Sequence, residues 1–262
     1  MTEPRTIYID PLSSHSLLLE LTARGNSLGT ATGFLVEGAE QPCLVTNWHV
    51  LAGRDPDTDQ PLSDMGAVPD EVRIVHHSAE RLGSWAARAE ALYGPDGSPR
   101  WLEHPRGRII DLVALPLESV DTSIKIYPFD LSLADVDMVA QPAMPVSIIG
   151  YPYGLATAGG WPIWKTGHIA SDPDLDYGGR PAFLIDATTR GGMSGSPVVL
   201  RLTGGYATRD GSFTLASGPV TRFLGVYSGR IHGEAEIGRV WRPHLITEVL
   251  QGRGPHVTAS QG

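Results

Sequence analysis

Glycine and proline divide this chain into short apolar runs, and this punctuation limits the fold more than any other feature of the sequence. The 262 residues include 31 Gly and 21 Pro, about a fifth of the chain, and they are spread along it rather than clustered. Short apolar runs bounded by turn residues are typical of β-strands. The pattern therefore predicts an all-β barrel or sandwich and does not favour alternating β-α-β units.

The apolar runs place the predicted strands, and one later segment has a helical period instead. The predicted strands are 16–21, 29–37, 43–48, 71–77, 85–94, 109–117, 145–151, 162–171, 182–188, 196–202, 213–231 and 238–243. Of these, 213–231 is long enough for two strands. A helix is predicted at about 243–252, because Pro243 opens an amphipathic pattern that Gly252 ends.

A stretch with little regular patterning separates the strands into two groups of about six. We predict an N-terminal β-barrel lobe over 1–118, a linker over 119–144 and a C-terminal β-barrel lobe over 145–262 that includes the helix. The chain has no internal repeat of fixed period, so the sequence does not favour a solenoid or a propeller.

Charge and composition exclude several classes of protein. There are 20 Lys and Arg against 29 Asp and Glu, a formal net charge of −9, which argues against nucleic-acid binding. Cys43 is the single cysteine, so no intramolecular disulfide is expected. The first 15 residues lack the pattern of a signal peptide, and no apolar run approaches the ~18 residues of a membrane span. We expect a cytoplasmic protein without a membrane partner.

Three short motifs contain residues suited to chemistry. They are TNWHV with His49, RIIDLVALPL with Asp111, and TRGGMSGSPVV with Ser194. Each alone has an ordinary structural explanation: a satisfied histidine, an outward-facing aspartate or a tight glycine turn. A buried carboxylate needs hydrogen-bond donors, however, and an imidazole N–H is a suitable one.

Taken together, the motifs supply the parts of an activated serine. Ser194 would be the nucleophile, His49 the general base and acid, and Asp111 the group that orients His49. The backbone N–H groups of Gly192 and Ser194 would bind the oxyanion, provided that the chain at residue 192 adopts a conformation that a side chain would obstruct. No metal or cofactor is predicted, because His76 and His77 are neighbours on a strand and point to opposite faces.

The three motifs occur in the order His, Asp, Ser, and in this the chain resembles the trypsin/chymotrypsin-like serine peptidases, specifically the bacterial kind without disulfides. The resemblance covers roughly 16–250, including GTATGFLVE before the histidine segment and LGVYSG, which resembles the strand that binds the substrate backbone. It implies two six-stranded antiparallel β-barrels with a C-terminal helix, a triad in the cleft between them, and a protein or peptide substrate. The residues that it implies for substrate binding are Thr188, Thr189, Tyr227, Ser228 and Gly229.

The chain departs from many members of this family at two points. Met193 stands where an acid receives a newly cut N-terminus in secreted relatives, so control by zymogen cleavage is not expected. We predict instead either an activating protein partner that orders the loop 189–195, or a narrow specificity. Thr188 and Thr189 would give a small polar pocket, which favours an acidic or small polar residue before the scissile bond.

Two other functions are alternatives to a serine peptidase. The first is a binding module that keeps the peptidase fold but is catalytically silent, and this alternative stays open at the level of sequence. The second is an α/β-hydrolase, which would need glycine where Ser196 stands and the serine before the histidine in the chain. Cys43 as a nucleophile is also disfavoured, because it lies in an apolar strand and is most simply a small buried hydrophobic residue.

Overall fold

The computed structural model describes residues 7–232 and 234–252. Within these residues the fold is all-β, as the sequence predicts, and its fourteen strands form two sheets. The extreme ends of the two predicted lobes, 1–6 and 253–262, lie outside the described residues.

The first sheet contains eight antiparallel strands and is not a closed barrel of six. Its strands are β1 Ser16–Ala23, β2 Asn26–Val36, β3 Cys43–Thr46, β4 Glu71–Ser78, β5 Trp85–Ala91, β6 Leu102–Glu103, β7 Val113–Pro116 and β8 Ile124–Lys125. The order is β5-β4-β1-β2-β3-β7-β6, and β8 pairs with β4. The sequence missed β6 and β8 because two-residue strands are too short to show an alternation of apolar residues. β8 falls inside the predicted linker.

The second sheet is a closed six-stranded barrel, which confirms the prediction for this half of the chain. Its strands are β9 Pro145–Gly150, β10 Ile163–Ile169, β11 Ala182–Asp186, β12 Pro197–Ala207, β13 Phe213–Arg230 and β14 Ile237–Trp241. They close in the order β10-β11-β14-β13-β12-β9. β13 is one strand rather than two, because register shifts against β12 and β14 let it bend without interruption.

Two α-helices and four short 3₁₀ turns complete the described residues. The 3₁₀ turns are Pro11–Ser14, Gly107–Ile109, Leu131–Asp135 and Pro152–Gly154. Helix α2, His244–Gln251, confirms the predicted C-terminal helix. Helix α1, Trp48–Ala52, was not predicted, because its five residues continue the apolar run of β3 and give no helical period of their own.

The two sheets share a hydrophobic core, which holds them in a fixed position relative to each other. One cluster of buried residues joins Phe34 and Val45 of the first sheet to Val226 and Trp241 of the barrel. Helix α2 adds Leu245 to the same cluster. Because close-packed interiors deform little, side chains presented by the two sheets keep a fixed relative position.

Because two histidines on β4 are buried, we expect the protein to lose stability in acid. Burial lowers the pKa of His76 and of His77 from 6.5 to about 4. The unfolded chain keeps the ordinary pKa, so between pH 6.5 and pH 4 it binds more protons than the folded chain does. The free energy of unfolding is therefore expected to fall as pH is lowered through this window, by on the order of 3 kcal/mol for each histidine.

Urea unfolding from pH 7 to pH 4, carried out on the wild type and on His76→Leu, measures this effect. His76 Nε2 is buried and has no hydrogen-bond partner in the part of the chain that the structure describes, so leucine removes the titration without breaking a bond at that atom. The variant should lose less stability on acidification than the wild type. Equal pH dependence of the two proteins would contradict the prediction.

Candidate active site

His49 is positioned by the short helix α1. The helix begins after Asn47, which has extended backbone angles, and ends at Gly53, whose φ of 62° is in the left-handed region that favours glycine. The Asn47 side chain does not cap the helix; its Nδ2 donates to the Asp111 carbonyl oxygen at 2.8 Å. The segment that carries His49 is thus bonded directly to the segment that carries Asp111.

Asp111 receives three hydrogen bonds on its carboxylate. The backbone N–H of His49 donates to Oδ1 at 2.9 Å, His49 Nδ1 lies 2.8 Å from Oδ2, and Ser228 Oγ donates to Oδ2 at 2.7 Å. Asp111 was predicted inside a strand, but it precedes β7 in an irregular segment. It is only 1% exposed, and these donors compensate the cost of burying its charge.

The surroundings of His49 set both its protonation and its tautomer. Burial by itself would lower the pKa of His49, but the charge of Asp111 and the hydrogen bond to it outweigh burial, so the pKa is raised above 6.5. Asp55 adds to the increase, and Arg239 opposes it. With Nδ1 bonded to a carboxylate, the neutral ring carries its proton on Nδ1 and leaves Nε2 free to accept one.

Ser194 lies in the glycine turn before β12 and lines one cavity together with His49. Its Oγ makes no hydrogen bond to another described residue, and a Cβ placed on Gly229 would be 3.9 Å from it. Ser194 and His49 thus line the same cavity without a hydrogen bond between Oγ and Nε2. Such bonds often tighten only when a substrate is bound.

The turn before Ser194 presents two backbone donors. Tyr153 N–H donates to the Gly191 carbonyl oxygen at 2.6 Å, and in a trans peptide the Gly192 N–H points the opposite way. Within the described chain, neither the Gly192 N–H nor the Ser194 N–H donates to a protein acceptor. Gly192 has a φ of 90°, and a Cβ there would overlap the Tyr151 carbonyl oxygen, so this conformation requires glycine.

Thr32 of β2 holds this turn in place, and sequence reasoning missed it. Its Oγ1 donates to the Gly192 carbonyl oxygen at 2.8 Å and accepts from Tyr151 N–H at 3.0 Å, while its N–H donates to the Ser194 carbonyl oxygen at 2.9 Å. The side chain of Met193 is buried in the barrel core and anchors the other side of the turn. The available signal in the sequence was a threonine at the start of an apolar run, and its complete burial is seen in the structure.

The residues predicted to bind substrate occupy different environments. Thr188 is exposed, whereas Thr189 and Tyr227 are 0% and 1% exposed and hydrogen-bond to each other through Thr189 Oγ1 and the Tyr227 hydroxyl. The Tyr227 ring also lies against Gly238, where a Cβ would overlap it. A buried tyrosine ring therefore lies beside Thr189, where a small polar pocket was predicted. Ser228 contacts Asp111, and Gly229 faces Ser194.

Among the described residues, no cluster of three or more His, Cys, Asp or Glu side chains has an arrangement that would hold a metal ion. None of the described helices has the length and apolar character needed to span a membrane.

The fold is shared with solved proteases at low sequence identity. A thermostable serine protease, AL20, from an extremophilic microorganism is 12% identical, with a TM-score of 0.53 over 92% of this chain and 98% of its own. Protease Anisep from Arthrobacter nicotinovorans is also 12% identical, with a TM-score of 0.50 over 90% of this chain and 93% of its own. Among curated protein sequences, none matches this chain significantly.

The family is established by the sequence itself. The profile of the trypsin-like peptidase domain matches residues 31–206, about two thirds of the chain and a range that includes His49, Asp111 and Ser194. The chain therefore belongs to the trypsin-like peptidase family.

Proposed function

We propose that the protein is a serine endopeptidase in which Ser194 attacks the peptide carbonyl, His49 transfers the proton and Asp111 orients His49. The observation that carries the proposal is the hydrogen bond between His49 Nδ1 and Asp111 Oδ2, because it leaves Nε2 as a base in the cavity that Ser194 lines. Family membership supports the same activity.

In the first half of the reaction the serine becomes acylated. Ser194 Oγ forms a bond to the carbonyl carbon of the substrate while His49 Nε2 takes the hydroxyl proton. The carbonyl oxygen gains the negative charge, and the Gly192 and Ser194 N–H groups donate hydrogen bonds to it. The C–N bond then breaks, and protonated His49 gives its proton to the leaving amine. The products are a free amine and an ester on Ser194.

In the second half water replaces the leaving amine. His49 Nε2 takes a proton from the water as its oxygen attacks the ester carbon, and the same N–H donors stabilise the second oxyanion. Collapse breaks the bond to Ser194 Oγ, which recovers the proton from His49. The raised pKa of His49 suits both steps, because the ring must accept and return a proton near neutral pH.

A fluorophosphonate probe tests the proposal, because it reacts with an activated serine and not with an ordinary hydroxyl. The purified wild-type protein should be labelled at Ser194, as located by mass spectrometry of its peptides, and should cleave unstructured casein. Absence of both labelling and cleavage would overturn the proposal and would favour the catalytically silent binding module.

Thr32→Val is predicted to impair catalysis by releasing the oxyanion turn. Valine keeps the shape of threonine but removes the Oγ1 hydrogen bonds to the Gly192 carbonyl and from Tyr151 N–H. Because loss of one oxyanion donor costs about 10²- to 10³-fold, partial displacement of the turn should lower kcat by roughly 10- to 100-fold. KM should change little, and steady-state kinetics separates the two constants.

The matched control is Thr46→Val. Thr46 Oγ1 donates to the Thr32 carbonyl oxygen at 2.9 Å, so this variant also loses a buried hydrogen bond but none to the turn. It should be destabilised to a similar extent and keep kcat within a few-fold. Thr32→Ser should restore most of kcat. Equal kcat losses in Thr32→Val and Thr46→Val would indicate a general loss of stability rather than a positioning role.

A further inference from the structure

The cavity beside Ser194 and His49 is apolar and has the size of one side chain. Its volume is about 170 Å³, and an apolar cavity of about 150 Å³ is large enough for a benzene-sized group. The apolar side chains that line it are Leu21, Leu28, Ala31, Val50, Leu62, Ala67 and Pro69, and the hydroxyl-bearing residues Thr30, Ser63 and Ser194 also line it. Apart from His49, the described residues that line it are uncharged.

A second cavity, which shares His49 and Leu62 with the first, has the opposite chemistry. Its volume is about 270 Å³, and its lining includes Asp55, Asp57, Arg230 and Arg239 as well as Asp111. The two sides of the cleft therefore present different surfaces to a bound peptide.

The apolar cavity is held open by its own backbone contacts. Leu62 N–H donates to the Gly53 carbonyl oxygen at 2.9 Å, which ties the loop that forms the outer wall to the end of α1. Pro69 packs closely on Gly53, where a Cβ would overlap the proline ring. A side chain that enters this cavity needs no rearrangement of the wall, so the free energy of apolar burial is available for binding.

The position of the cavity decides which substrate residue it receives. The strand that resembles the substrate-binding strand, 224–229, borders the charged cavity through Ser228 and Gly229 and does not border the apolar one. The acyl part of a peptide laid along that strand therefore lies at the charged cavity, and His49 borders both cavities. We place the amine that His49 protonates on the remaining side, at the apolar cavity that His49 and Val50 line.

The acyl side does not favour a large apolar side chain. The cavity that it borders through Ser228 and Gly229 is charged. The Tyr227 ring is buried between Thr189 and Gly238, and its hydroxyl is bonded to Thr189. A large substrate side chain that entered there would have to displace a buried aromatic ring and break that bond, which disfavours it. Selection of a large apolar side chain is then left to the other side of the scissile bond.

We infer that the protein selects substrates by an aliphatic or benzene-sized apolar residue immediately after the scissile bond, bound in the cavity formed by β1, β2, α1 and the loop that contains Leu62. This inference rests on the proposed function and adds the substrate class. Burial of one such side chain, relative to glycine at the same position, should raise kcat/KM by roughly 10- to 100-fold. An acidic residue there should be cleaved more slowly than glycine, because most of the cavity lining is apolar and burial removes the carboxylate from water.

The experiment uses a peptide library randomised on both sides of the cleaved bond, with the cleavage sites read by mass spectrometry. The wild type should show a strong preference for Leu, Ile, Val, Met or Phe after the bond and a weaker preference before it. Leu62→Glu should reduce that preference about tenfold and raise cleavage before Lys and Arg. Leu62 is 54% exposed, so the change should not prevent folding. The matched control is Leu82→Glu, at a 63% exposed leucine that does not line the cavity.

The outcomes separate this inference from the proposed function. Cleavage of library peptides with no apolar preference after the bond, or with the apolar preference before it, overturns the inference and leaves the peptidase intact. Identical profiles for Leu62→Glu and Leu82→Glu also overturn it. Failure to cleave any peptide, together with failure of the fluorophosphonate to label Ser194, overturns both.

Discussion

Replacing Ser194 by alanine is expected to lower kcat on casein by about 10⁶-fold and to leave the fold intact. The change removes one oxygen atom, Oγ, which forms no hydrogen bond to the described residues. The free energy of unfolding should therefore stay within about 1 kcal/mol of the wild type, because no structural contact is lost. Steady-state proteolysis and urea unfolding measure the two quantities.

Ser196→Ala is the matched control for the serine change. Ser196 lies two residues further along the same segment, and its Oγ is also without a hydrogen-bond partner in the described part of the chain. It takes no part in the proposed chemistry, so kcat should stay within a few-fold of the wild type. A comparable loss of activity in both serine variants would show that the segment, and not the Ser194 hydroxyl, is what matters.

The proposed roles of His49 and Ser194 also predict the rate of the double variant His49→Ala with Ser194→Ala. The serine and the histidine act in one proton transfer, so removal of either should abolish the contribution of both. The double variant should retain the residual rate of Ser194→Ala. A further loss of several orders of magnitude in the double variant would contradict a shared mechanism.

Much of the site could be predicted because its chemistry is encoded in short local motifs. His49, Asp111 and Ser194 each stand in a segment where a polar residue interrupts apolar or glycine-rich sequence, and their order along the chain carried the family resemblance. In the structure His49 and Asp111 are hydrogen-bonded to each other, and Ser194 lines the same cavity as His49. The cytoplasmic location and the activating partner remain predictions.

The parts that escaped sequence analysis depend on contacts between distant segments. Thr32 bonds to the glycine turn before Ser194, 160 residues away in the chain, and Tyr227 bonds to Thr189, 38 residues away. Neither contact leaves a periodicity in the sequence. Helix α1 was missed for the opposite reason: Gly53 ends it after five residues, which is fewer than a helical pattern needs in order to be recognised.

Two hydrogen bonds oppose the backbone rotation that would switch off the proposed activity. Rotation of the Gly191–Gly192 peptide, which would turn an oxyanion donor away, has to break the hydrogen bond from Tyr153 N–H to the Gly191 carbonyl. The bond from Thr32 Oγ1 to the Gly192 carbonyl opposes the same movement. The described conformation therefore favours narrow specificity over a disordered turn as the means of restraint, in agreement with the apolar cavity proposed above.

Asp111→Asn is expected to lower kcat on the order of 10⁴-fold although it changes the side chain by one atom. All the groups that contact the Asp111 carboxylate are donors: the His49 N–H, His49 Nδ1 and Ser228 Oγ. An amide offers one acceptor oxygen and one NH₂ group. If the NH₂ faces His49 Nδ1, it fixes the tautomer that carries its proton on Nε2, and the base needed by Ser194 is lost.

The pH profile distinguishes this loss from general damage to the site. His49 must be neutral to act as a base, so the wild-type kcat/KM should fall as pH decreases through a His49 pKa that lies above 6.5. Asparagine removes the charge that raises this pKa, and burial of His49 then lowers it unopposed by Asp111, so the acid limb of the residual activity should move to lower pH. Asp55→Asn is the control, because Asp55 raises the same pKa without contacting His49; it should move the limb in the same direction, by less, and keep kcat near the wild type. If kcat/KM of Asp111→Asn falls at the same acidic pH as that of the wild type, the fall is caused by the titration of a group other than His49.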